Sequence, residues 1–231
     1  VLLTTIEKRG PMKIIRNKYK NKITQEIYEI LYQFAPNTYY WQTAIWIMLR
    51  DMEYLRFDLQ PSMNRLSIPE YINTFNAPIE SRLACYESIS LSRHLLNTMN
   101  TYIDNFSEQI DKFYYPKFEV LLACLLHDFG KSKKLQARLE ISNKNELKHE
   151  EISGHYIDDL AKRVDGKYIF NKGVRDDEFY LSISQLEKVK KAVIEHHKQN
   201  IIKGSLSELL KLIDHKTREK EYSEYARRIN K

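Results

Sequence analysis

An all-α fold is predicted for this chain of 231 residues, and three observations predict it. Glycine and proline number only six each, and so few breakers over this length favour long helices over a many-turned β fold. Apolar residues recur at helical rather than alternating spacing along most of the sequence. Residues 118–126 are apolar almost without interruption, the pattern of a central helix buried on nearly every side. Together these predict about eight or nine helices, with at most a small hairpin near residues 166–182 around Tyr168-Ile169-Phe170.

Element by element, residues 1–21 read as a basic lead-in. Ile23, Ile27, Ile30, Leu31 and Phe34 then define a helix that Pro36-Asn37 stops. Thr38 caps the next, whose apolar face uses Trp41, Ala44, Ile45, Met48, Met52 and Leu55. Gln60-Pro61-Ser62 breaks it, and a short helix is expected over 69–75. One long helix is expected over 79–106. Pro116 opens the apolar one, which ends in His127-Asp128-Phe129-Gly130-Lys131. Residues 132–148 read as a basic, polar connector. Further helices are expected from His149 to about residue 164, over 184–198 and over 205–228. The last opens with Ser205-Leu206-Ser207-Glu208, a capping-box pattern.

Bulk composition narrows the function classes. Hydrophobic residues at 42% and charged residues at 29% fit a soluble globular protein. The net charge of +6 permits an anionic partner such as a nucleotide or nucleic acid without establishing one. Dispersed lysine accounts for much of the excess and reads as solvated surface. The sixteen tyrosines read as compositional bias rather than as a base-stacking platform. Cys85 and Cys124 sit in apolar helical patterns, as free buried thiols do in a reducing cytoplasm. No apolar run approaches the ~18 residues of a membrane span, and no secretory signal is visible. A cytoplasmic, membrane-free protein is therefore expected. A chain that begins at Val1 rather than Met reads as either an engineered fragment or an excised domain, so a missing leader carries little weight.

The chemistry lies in the histidines and two aspartates. All seven histidines fall at or beside helices, from His94 onward. His127 and Asp128 end the buried helix, His149 begins one, His196 and His197 end another, and Asp214 sits in the apolar run 209–215. Charged Asp128 and Asp214 beside buried faces would be costly unless something neutralised them, and a cation held by N and O ligands does so. Taken singly, each residue reads as a hydrogen-bonded core histidine or a solvated aspartate; order and spacing together point to a metal.

His94, then His127-Asp128, then Asp214 resembles the H…HD…D signature of the HD superfamily of metal-dependent phosphohydrolases. The run Leu121-Leu122-Ala123-Cys124-Leu125-Leu126-His127-Asp128-Phe129-Gly130-Lys131 looks very like that family's central motif. His149 and the pair His196-His197 resemble the additional histidines of two-metal members, including the HD-GYP branch; no GYP signature is present, so cyclic-di-GMP hydrolysis is not implied. The resemblance covers about residues 80–220. It implies an HD-domain helical bundle over 79–231 with an additional N-terminal helical region, residues 1–78, of unassigned role. It further implies that His94, His127, Asp128 and Asp214 hold one divalent metal. Asp128 would bridge to a second held by His149, His196 and His197, of which one of the adjacent pair could act from behind the other. One or two ions drawn from Mn, Fe, Ni, Co, Zn or Mg would suit such ligands. His155, roughly 600° further round a helix than His149, reads as structural, and His215 as pointing away.

The implied activity is hydrolysis of a nucleotide-like phosphoester by a metal-activated water, with Asp128 and Lys131 as the catalytic residues. Lys131 either reaches a phosphate oxygen or caps the helix end. Lys133, Lys134 and Arg138 extend the basic connector, either drawing in an anionic substrate or forming a solvated loop. The expected partner is a phosphorylated small molecule or nucleotide. Two further readings stay open: a nucleic-acid-processing role, as in HD-domain conjugative relaxases, and a non-catalytic ligand-sensing module.

Overall fold

A computed structural model describes residues 19–63, 79–108, 113–139, 141, 146–172 and 175–229. Among the described residues it is all-α and contains no β-strand. The helices are α1 (Lys22–Phe34), α2 (Tyr39–Tyr54), α3 (Ile79–Ser88), α4 (Leu91–Asn105), α5 (Lys117–Leu126), α6 (Lys133–Arg138), α7 (His149–Lys172), α8 (Asp177–Glu195) and α9 (Leu206–Ile229). A short 3₁₀ turn, Phe129–Lys131, joins α5 to α6. The expected lead-in up to residue 18 and the short helix over 69–75 lie outside the described residues.

Caps set the boundaries. Asn21 Oδ1 accepts from the backbone N–H groups of Ile23 and Thr24, opening α1. Thr38 Oγ1 accepts from Trp41 N at 3.3 Å, as the sequence predicts. Ser205 Oγ accepts from Glu208 N at 3.2 Å, but Glu208 reaches back to Gly204 N, at 2.7 Å, rather than to Ser205. Gly204 has φ +78°, a left-handed conformation that glycine adopts without cost.

α5 is the centre of the bundle. Every residue from Phe118 to Leu126 is buried, and α5 packs against α1, α4, α8 and α9. Burying a leucine or valine completely contributes about 1.5–3 kcal/mol, so the apolar run fixes where the His127-Asp128 corner must sit. α1 and α2 belong to the same core: Ile27, Leu31, Trp41 and Met48 are buried in one continuous cluster with Leu121, Leu160 and Val193. Asp51 ties α2 to α6 and α7, accepting from Arg138 at 2.8 Å, Arg163 at 2.7 Å and Tyr156 Oη at 2.9 Å.

Three expectations are corrected. The polar connector over 132–148 contains a helix, α6. The helix expected to end near residue 164 runs on to Lys172, and α8 starts at Asp177 rather than near residue 184, so no hairpin forms among the described residues of 166–182. Tyr168 turns inward and is buried, and its hydroxyl donates to Asp176, the residue that caps α8. That inward anchor keeps the segment helical despite its β-favouring side chains. The long helix over 79–106 is two helices, because Ser90 turns extended (φ −67°, ψ 152°) and caps α4 through Arg93 N. The break is held from outside, by an antiparallel bridge between Pro61 and Ser90.

Candidate metal centre

The side chains singled out in the sequence converge on one buried region. His94 comes from the body of α4 and Asp214 from the body of α9. His127 is the residue that caps the C-terminus of α5, and His196 holds the same place after α8. His149 is the first residue of α7. Asp128 opens the 3₁₀ turn with φ −108° and ψ 7°.

Helix ends explain how the imidazoles are aimed. Carbonyls in the last turn lack intrahelical partners. His127 Nδ1 donates to Cys124 O at 2.8 Å, and His196 Nδ1 donates to Val193 O at 2.7 Å. A carbonyl only accepts, so the hydrogen is fixed on Nδ1 and a neutral ring presents a bare Nε2. His94 is oriented differently: its Nδ1 lies 3.0 Å from Glu221 Oε1, so a neutral ring would carry its hydrogen there as well.

The free ends face each other. His94 Nε2 is 3.2 Å from Asp214 Oδ1 and 3.4 Å from Asp128 Oδ2. His127 Nε2 is 3.4 Å from Asp128 Oδ2 and 3.7 Å from Asp214 Oδ1. His149 Nε2 is 3.2 Å from the other Asp128 oxygen, Oδ1. The His196 and His197 rings lie 3.8 Å apart, centroid to centroid, and His197 is 5.1 Å from His149. Two groups could hold an ion, each offering ligand atoms within 4.8 Å of one another: His94, His127 and Asp128; and Asp128, His149, His196 and His197. Asp128 belongs to both.

Charge follows the same division. Burial and Arg218 oppose protonation of His94, yet Glu221, Asp128 and Asp214 push it up to about 9. Burial also works against ionising Asp128 and Asp214. His127 and Lys131 nevertheless hold Asp128 far below the usual carboxylate range, and His127 and His94 do the same for Asp214. Burial, with neighbouring imidazoles, drives His196 far down and His197 down to about 3. That pair is neutral, the form that binds a cation.

A cation fits these residues. His94 Nε2, His127 Nε2, Asp128 Oδ1, His149 Nε2, His196 Nε2 and Asp214 Oδ1 are buried and make no hydrogen bond, although several lie close enough to do so. Each such atom costs about 1–3 kcal/mol if left unsatisfied. Six of them rival the net stability of an ordinary domain, about 5–15 kcal/mol. A cation that takes their lone pairs removes that cost.

The remaining predicted residues fall as follows. Lys131 Nζ sits 2.6 Å from Asp128 Oδ2, so in this structure it pairs with the aspartate. Arg138 is committed to Asp51, while Lys133 and Lys134 are exposed. His155 is exposed on α7, and His215 lies 3.6 Å from Glu219 outside the cluster. Cys85 and Cys124 are buried and free.

Sequence reasoning missed Arg218 and Glu221. Both are buried, and Arg218 approaches Asp128 Oδ2 at 3.6 Å and Asp214 Oδ1 at 3.9 Å. The signal was their spacing of four and seven residues from Asp214, which places all three on one helix face. It also missed Ser153, whose Oγ donates to His127 O and accepts from Gly130 N, tying α7 to the His127 corner.

An all-α protein with a buried His/Asp cluster able to hold a metal ion is the class this fold and site define. No family model matches the chain, and neither the curated proteins nor the solved structures contain a significant match to it. Among the described residues no helix is long and apolar enough to cross a membrane.

Proposed function

We propose that this chain is an HD-type metal-dependent phosphohydrolase acting on a nucleotide-like phosphoester, with two divalent ions sharing Asp128. One observation carries the reading: six buried ligand-type atoms from five helices and a turn face one another without hydrogen bonds. The order of these residues along the chain, His94, His127-Asp128, Asp214, is the order in the HD superfamily.

His94, His127, Asp128 and Asp214 would hold one ion, and Asp128, His149, His196 and His197 the other. Bound metal would supply Lewis acidity toward a phosphoryl oxygen and a lowered pKa for water. The protein's own groups do the rest. The Nδ1 hydrogen bonds of His127 and His196 lock ring orientation, so the site needs little rearrangement to accept charge. Lys131, beside Asp128, adds a positive charge where an anionic phosphoester would approach. The α4, α5 and α9 walls exclude bulk water and strengthen each of these interactions.

Metal analysis of freshly purified protein, followed by a phosphoester panel with the metal found, tests the reading. Metal-dependent turnover that vanishes in Asp128→Ala supports it. A bound nucleotide without turnover would replace it with a ligand-sensing module. Salt-sensitive binding of single-stranded DNA without phosphoester turnover would replace it with a nucleic-acid role.

A further inference from the structure

His94 is gripped from both sides by one helix. Its Nε2 faces Asp214 Oδ1 at 3.2 Å, and its Nδ1 lies 3.0 and 3.2 Å from the two oxygens of Glu221, two turns further along α9. Glu221 is itself fully engaged. Asn97 Nδ2 donates to Oε1 at 2.9 Å, and Arg218 Nη1 donates to Oε2 at 3.2 Å. Arg218 is pinned in turn by Ser62, donating to its Oγ at 2.9 Å and to its carbonyl at 3.3 Å. Ser62 Oγ donates to Tyr86 O. Apart from half-buried Asn97, this polar assembly is buried beside the proposed ligands.

We infer that Glu221 is the positioning residue for His94. It fixes the hydrogen on Nδ1, leaves Nε2 as the ligand atom, and holds the Arg218 guanidinium back from the ligand carboxylates. The inference rests on the metal-centre reading above. Glu221 touches neither a substrate nor a proposed ion; it acts through His94 and Arg218. Two features favour this over a purely structural pair. A carboxylate behind a ligating histidine strengthens the imidazole as a donor. Arg218 already stands 3.6 Å from Asp128 Oδ2 and 3.9 Å from Asp214 Oδ1. Without Glu221 the guanidinium would lose one of its restraints, leaving those to Ser62, and its charge would turn more toward those oxygens and compete with a cation.

The test is zinc affinity, measured by competition with a chromophoric chelator on the full chain, for wild type, Glu221→Ala and Glu221→Gln. Thermal melts of the metal-free proteins run alongside. Glu221→Ala is expected to bind zinc about 10–100-fold more weakly. Glu221→Gln keeps an oxygen for Nδ1 but loses the charge, so it should recover part of that loss while staying at least about threefold weaker than wild type. Wild-type affinity in Glu221→Ala overturns the inference. So does a Glu221→Gln no tighter than Glu221→Ala when both melt normally. If Glu221→Ala fails to fold, Glu221→Gln decides alone, and wild-type affinity there overturns the proposal. A wild-type chain that binds neither zinc nor manganese overturns the metal-centre reading, and this inference with it.

Discussion

Gly130 and His149 meet backbone to backbone. A Cβ on Gly130 would overlap the His149 carbonyl oxygen and lie 2.9 Å from Ser153 N. The 3₁₀ turn and α7 can pack this closely only because residue 130 has no side chain. That close approach lets His149 Nε2 come within 3.2 Å of Asp128 Oδ1.

Gly130→Ala is therefore expected to push the first turn of α7 away from the His127 corner. Overpacking of this kind costs about 1–3 kcal/mol, and each kcal/mol lowers Tm by about 2–4 °C in a domain of this size. Metal stoichiometry should fall as well, because His149 moves with the helix. A melt and a metal count on the same sample check both.

Asp128→Ala should lower metal content more than any other single change, since Asp128 alone belongs to both ligand groups. His155→Ala should leave metal content unchanged, because His155 is exposed on α7. Elemental analysis of the two variants, purified side by side, makes the comparison. Equal losses would refute the ranking.

Asp51 predicts an acid-sensitive step away from the metal. Burial opposes its ionisation, but Arg163 and Arg138 outweigh burial and hold the carboxyl below its usual value. A carboxyl lowered in the folded state stabilises the fold fully above its ordinary pKa, about 3.9. That contribution is lost as pH falls from there through the lowered value. Asp51→Asn should cost about 3 kcal/mol near neutrality and flatten the acid limb of stability against pH. Urea melts from neutral pH down to about pH 3 read both, and parallel curves for the two proteins would contradict the assignment.

Chelation should destabilise the protein. A ligand that binds only the folded chain adds about 2.7 kcal/mol at a hundredfold excess over Kd, or a Tm rise of about 5–10 °C here. Melts with and without a chelator, then with metal restored, check direction and reversibility. An unchanged Tm would mean that the six unsatisfied atoms do not need a cation.

Much of this was legible in the sequence because it follows from pattern. The apolar run before His127 makes α5 central, and a central helix must deliver its end residues into the interior. Tertiary contacts decided the rest. Nothing local in Tyr168-Ile169-Phe170 shows that Tyr168 will be buried against Asp176. No glycine or proline marks the break at Ser90, which is held by Pro61 from a distant part of the chain. Arg218 and Glu221 lie in a stretch so charged that it reads as a solvated face. Only their register with Asp214 sets them apart, and that register matters only once α4 is known to pack on α9.

Anomalous diffraction from crystals grown with manganese tests the central claim most directly. Two peaks about 3.5–4 Å apart are predicted. One should face His94, His127, Asp128 and Asp214, and the other Asp128, His149, His196 and His197. A single peak that persists unchanged in His149→Ala would contradict the second ion, and no peak among these side chains at saturating manganese would contradict the metal centre itself.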